Sequence, residues 1–148
     1  MATSTLMGDK VLKQLDNYII VDVGANLTNK KFARDLDSVI QRAQDAGVNK
    51  IMVTGTSIQA SKDALRLARL YPATLYATAG VHPHDAKSWD EDEDTLSTLK
   101  DLIQNPEVVA VGECGLDFNR NFSPPNVQLD VFEKQVCIFF SCFYKLII

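Results

Sequence analysis

Glu113 is the side chain in this sequence best placed to do chemistry. It follows the apolar run Val108-Val109-Ala110-Val111 and lies in a glycine-flanked segment, Gly112-Glu113-Cys114-Gly115. Four consecutive Val/Ala residues suit a strand covered on both faces, as in a parallel sheet wrapped by helices. The charge then falls at the strand's carboxyl end, where α/β folds gather ligands and metals. Two blander roles stay open for Glu113: an ion pair with a basic neighbour such as Arg120, or a cap on the next helix.

His82 and His84 form the second constellation, separated by Pro83 in Gly80-Val81-His82-Pro83-His84-Asp85. Imidazoles two apart on an extended segment project to the same side and suit one metal ion or a phosphate. One ring packed on Trp89, or bonded to backbone, is the structural alternative, because a single His-x-His carries little information. Asp85 and Asp117 are equally open, since Asp is common in turns for its local backbone bonding.

These groups need elements to hold them. Ile19-Ile20-Val21-Asp22-Val23 reads as a first strand, followed by a helix with Leu36, Val39, Ile40 and Ala43 on one face and Gly47 as its stop. Ile51 to Gly55 reads as a second strand. Ser57 and Ser61 are candidate caps for a helix with Ala64, Leu65 and Ala68 as its buried stripe. Leu75 to Gly80 is the third strand, and the acidic stretch Asp90 to Asp94 opens a helix with Leu96, Leu99 and Ile103 inward. The fourth strand ends in Glu113. Ser123-Pro124-Pro125 then introduces a helix carrying Val127, Val131 and Phe132. Strands alternating with helices imply a parallel sheet of βαβ units, with every strand end on one edge.

Composition bounds the function. At 148 residues, 46% hydrophobic and 23% charged, the chain has the make-up of one globular domain. A formal net charge of −4 provides no overall basic field, which argues against a high-affinity DNA-binding module. Three cysteines, Cys114, Cys137 and Cys142, without a Cys-x-x-Cys pair, fit a reducing compartment, so cytoplasm or nucleus is expected. Residues 1–18 read as an N-terminal extension, neither secretory signal nor transit peptide. Residues 136–148 are strongly apolar but fall short of the ~20 residues of a spanning helix, so no membrane association is expected.

Four segments together carry a resemblance: Asp22-Val-Gly-Ala-Asn-Leu-Thr28, Thr54-Gly-Thr56, Ala79-Gly-Val-His-Pro-His-Asp85 and Val111-Gly-Glu-Cys-Gly-Leu-Asp-Phe-Asn-Arg-Asn121. In this order they resemble the TatD family of metal-dependent deoxyribonucleases, from about Tyr18 to Gln135. The resemblance implies a TIM-barrel-type α/β fold of the metallo-dependent hydrolases. It also implies a divalent metal, usually Mg2+, and 3′ to 5′ exonuclease activity with DNA as substrate. It assigns Glu113 to the catalytic carboxylate that binds metal, an arrangement suited to in-line displacement at a phosphodiester. Asn26 stands where the wider superfamily carries a His-x-His pair, which makes it a weaker metal ligand through its amide oxygen. His82 and His84 match a family loop near the site and are expected to contact substrate.

The remaining ligands that the resemblance implies, two histidines and a late aspartate, come from later strands. The expected fold is therefore a barrel truncated to about four βα units: an extension over 1–18, the N-terminal half of a barrel over 19–135, and a divergent apolar tail over 136–148. A complete barrel takes ~250 residues. The expectation is weak or absent nuclease activity, and self-association through the open barrel edge. A non-catalytic fragment that pairs with a full-length homologue and a small-molecule amidohydrolase are the competing readings.

Overall fold

The computed structural model describes residues 18–89 and 95–141, and the backbone of 146–147. Strands β1 (Ile20–Ala25), β2 (Val48–Val53), β3 (Leu75–Ala79), β4 (Val108–Val111) and the two-residue β5 (Leu146–Ile147) form one parallel sheet in that order. Helices α1 (Leu36–Asp45), α2 (Ile58–Leu70), α3 (Thr95–Ile103) and α4 (Pro125–Ser141) alternate with them. Strand order that follows chain order without reversal is the order of a barrel wall; a doubly wound sheet would turn back on itself. All four long strands consequently present their carboxyl ends on one edge.

The helices form where local chemistry favours them. Ser57 caps α2 by accepting from the Ala60 N–H at 3.1 Å, and Gly47 ends the α1 turn at φ +93°, a conformation open to glycine. Ala64, Leu65, Leu67 and Ala68 of α2 are buried and the helix packs on β3. Leu99, Leu102 and Ile103 bury one face of α3, joining Val53, Leu75, Ala77, Val108 and Val111 in the main core. Full burial of a Leu or Ile contributes about 1.5–3 kcal/mol. Among the described residues β1 is an outer strand, with Val21 and Val23 exposed on it.

Several sequence expectations shift. Ser61 is not a cap: it sits one turn inside α2, fully buried, and its hydroxyl joins two elements. The composition change at Val136 falls inside α4, which runs unbroken to Ser141 and buries Ile138 in the main core. The chain then returns to the sheet as β5, pairing Ala110 with Leu146 and Val111 with Ile147, where no further strand was expected. The acidic stretch 90–94 and residues 1–17 lie outside the described residues.

Candidate functional site at the carboxyl edge of the sheet

The edge is assembled by backbone first. The Gly112 N–H donates to Ala79 O at 2.8 Å, the Glu113 N–H to Gly55 O at 2.7 Å, and the His82 N–H to Thr56 O at 2.9 Å. The ends of β2, β3 and β4 are thus tied beyond the last ladder pairs. A Cβ on Gly80 would meet backbone atoms of Gly112 at 2.6 Å, so this approach requires glycine. The buried Ser61 hydroxyl donates to Ser57 O at 2.7 Å and accepts the Gly80 N–H at 3.2 Å, fastening α2 to the end of β3.

Glu113 lands two residues past β4, with its side chain 48% exposed. Its Oε1 lies 3.7 Å from His82 Nε2, too long for a direct hydrogen bond. His82 Nδ1 accepts the His84 N–H at 3.1 Å. That bond places the proton of the neutral imidazole on Nε2, facing Glu113. Desolvation lowers the His82 pKa, partly opposed by the Glu113 charge. At neutral pH the ring is a neutral donor aimed at the carboxylate's side of the edge.

His84 does something different. Its Nε2 donates to Asp117 Oδ2 at 2.7 Å, and Arg120 Nε meets the same oxygen at 2.8 Å. Asp117 Oδ1 accepts the N–H groups of Asn119 and Arg120 at 3.2 and 3.1 Å. The His84 bond, followed by the backbone N–H of Arg120, holds the Asp117 carboxyl down at about 2. Both Asp117 oxygens are occupied, so this carboxylate organises its loop rather than offering a ligand. Arg120 pairs with Asp117 instead of Glu113, and His84 packs edge-to-face on Phe122 with centroids 4.7 Å apart, not on Trp89. The two imidazoles stand T-shaped at 4.3 Å, yet their Nε2 atoms face different carboxylates. Burial, then the Glu113 charge, pushes the Cys114 thiol up to about 11, which leaves it un-ionised and a poor nucleophile at neutral pH.

Two glutamines that sequence reasoning passed over hold this edge from behind. Gln135, fully buried on α4, accepts the Val81 N–H at 2.7 Å and donates to Val81 O at 3.0 Å. Gln128, also fully buried, accepts the Asp117 N–H at 2.8 Å and donates to Asp117 O and Ser123 O. The buried Ser123 hydroxyl in turn bonds His84 O and the Lys87 N–H. A signal existed: Gln128, Val131, Gln135 and Ile138 are the buried stripe of α4 at helical spacing, and two of its four positions are polar.

Asn26 stands at the same edge, directly after β1, where its amide oxygen accepts from Thr28 Oγ1 at 3.4 Å within its own turn. As a metal site the set is incomplete. Hydrolytic ions are held by several protein ligands with one position open. Among the described residues no group of three His, Cys, Asp or Glu side chains is arranged to hold an ion. Glu113 is an exposed carboxylate with the right chemistry, but the described residues do not complete a coordination shell around it.

The sequential parallel sheet, with carboxylate and imidazoles at its carboxyl edge, places the chain in the β/α-barrel class. Residues 21–138 match the family described as TatD related DNase, and the chain belongs to that family. It is 50% identical over 117 residues to the 3′-5′ ssDNA/RNA exonuclease TatD of Erwinia tasmaniensis, covering 79% of this chain and 44% of that protein. The corresponding protein of Citrobacter rodentium is 51% identical over 117 residues, 79% of this chain and 43% of its own length. The chain therefore spans less than half the length of these curated relatives. Among solved structures, a TatD family hydrolase from Entamoeba histolytica superposes with a TM-score of 0.77 at 30% identity, over 86% of this chain and 48% of that one. An uncharacterized amidohydrolase from Saccharomyces cerevisiae gives 0.73 at 27% identity, over 84% and 44%. Among the described residues no helix is long and apolar enough to cross a membrane.

Proposed function

We propose that the chain is the N-terminal half of a TatD-type, divalent-metal-dependent 3′ to 5′ exonuclease acting on single-stranded nucleic acid. Glu113 is its metal-binding carboxylate. The observation that carries this reading is the placement of Glu113: a half-exposed carboxylate at the carboxyl edge, beside a neutral imidazole whose Nε2–H is fixed in direction. An ion held there, with Mg2+ the expected one, would supply Lewis-acid polarisation of a phosphodiester. His82 offers a neutral donor to a phosphate oxygen, and His84, held by Asp117, keeps the His82 ring in place through its own N–H. Asn26 adds a weak amide-oxygen donor. The polypeptide of these 148 residues alone is expected to hydrolyse DNA weakly or not at all, because its donor set is incomplete.

The test is a chimera in which residues 21–138 replace the matching stretch of the Erwinia tasmaniensis relative. Magnesium-dependent release of nucleotides from a 3′-labelled single strand is expected in the chimera and lost on Glu113→Ala. Activity unchanged by Glu113→Ala would remove Glu113 from the mechanism. Robust, Glu113-dependent hydrolysis by the free 148-residue polypeptide would overturn its expected weakness.

A further inference from the structure

The segment after Glu113 carries apolar side chains that the core does not use. Leu116 is half-exposed, Phe118 is 48% and Phe122 57% exposed, and Arg120 falls between the two phenylalanines in sequence. Single exposed apolar residues on a surface need no explanation. This group differs in three ways. Its backbone is held on both sides of the phenylalanines, by Asp117 Oδ1 on the Asn119 and Arg120 N–H groups and by the fully buried Gln128, which bonds both backbone groups of Asp117 and the carbonyl of Ser123. Its Phe122 ring is continuous with the site, because Glu113 approaches His82 at 3.7 Å, His82 meets His84 at 4.3 Å, and His84 meets Phe122 at 4.7 Å. And its short sequence holds two exposed aromatic residues and the exposed Arg120, whose guanidinium is bonded to Asp117, on a chain with no overall positive charge to draw a polyanion.

We propose that Phe118–Phe122 is a base-stacking platform beside the Glu113 edge, with Phe122 as its principal face, taking an unpaired base of single-stranded nucleic acid next to the reacting phosphodiester. The inference rests on the nucleic-acid reading above. Every base has a π-face, so aromatic stacking grips a strand without choosing its sequence, which suits an enzyme that trims strand ends of any sequence. A platform whose backbone is already ordered loses little entropy on binding. On a net-negative chain, stacking also supplies affinity that long-range charge does not. The exposed Arg120 guanidinium, tethered to Asp117, adds a cation beside the stacked base.

The test is fluorescence anisotropy of a labelled short oligothymidylate with the 148-residue protein, without added divalent ion so that no strand is consumed. Phe122→Leu keeps the apolar bulk but removes the π-face, and is expected to weaken binding about five- to 100-fold. Phe122→Trp is expected to match or exceed the parent. An abasic oligonucleotide of equal length is expected to bind parent and Phe122→Leu alike. Thermal melts establish that the variants fold, and Phe118→Leu gives a second, smaller loss should Phe122→Leu melt early. Parent-like oligothymidylate affinity in both Leu variants would overturn the platform and leave the nucleic-acid reading standing. No oligonucleotide binding by the parent, even at low salt, would defeat that reading together with the platform. A change in sedimentation of Phe122→Leu with unchanged oligonucleotide affinity would make the patch a protein contact and likewise overturn the proposal.

Discussion

Replacing Gln135 by methionine removes the amide while nearly preserving side-chain volume, and the structure sets the magnitude to expect. Gln135 satisfies both backbone groups of Val81 and donates to Val131 O at 3.3 Å. With the amide gone, the Val81 N–H and C=O lose the partner the fold provides, in a place without solvent. Each unsatisfied buried group costs about 1–3 kcal/mol, so for the two groups a loss of about 2–6 kcal/mol is expected, with little cavity cost to add. Against a typical total of about 5–15 kcal/mol this is a large fraction. The assay is urea denaturation at neutral pH, reading the midpoint at constant slope. Gln59→Met serves as control, because Gln59 is exposed and its amide bonds the exposed side of its own helix at Asp63, so a change within about 0.5 kcal/mol is expected. The effect also has a local signature: amide resonances of Val81 and His82 are expected to move in Gln135→Met. Equal midpoints for the two variants would refute the claim that Gln135 clamps the His82 segment.

Acid sensitivity follows from Asp117. Its folded pKa of about 2 lies below its ordinary value, so its stabilising contribution is complete above about pH 4 and is lost as pH falls toward 2. Asp117→Asn is expected to lower stability at neutral pH and to flatten the fall between pH 5 and 2.5, read by thermal melting across that range; an unchanged profile would remove Asp117 as its source. Gly80→Ala places a methyl 2.6 Å from the Gly112 backbone. A loss of about 2–3 kcal/mol or more is expected in denaturant unfolding, and parent-like stability would mean that β3 and β4 separate there at no cost.

The repeating strand and helix pattern was legible because it is written in side-chain period: Ile40, Leu65, Ala68, Leu99 and Ile103 are buried where helical spacing puts them. The position of Glu113 at the carboxyl edge was legible because the apolar run Val108 to Val111 marks the strand that ends just before it. What stayed hidden depends on contacts distant in sequence. His84 looks like a twin of His82, yet Asp117, thirty-three residues on, holds its Nε2. Ser61 looks like a cap until the Gly80 N–H arrives from the next strand. Gln128 and Gln135 drew no notice in the sequence, because the backbone groups they satisfy come together only once α4 crosses the site loops. The change of composition at Val136 falls within α4, which keeps its buried face through Ile138 and runs to Ser141.

The central claim is that the carboxyl edge around Glu113 is the ion-binding edge of this nuclease-family chain. It is tested most directly by adding Mn2+ to the isotope-labelled protein and mapping paramagnetic broadening, which detects even weak binding. Broadening centred on Gly112 to Gly115 and on His82, and abolished by Glu113→Ala, is the result the account predicts. Broadening centred elsewhere, or unchanged by Glu113→Ala, would contradict it.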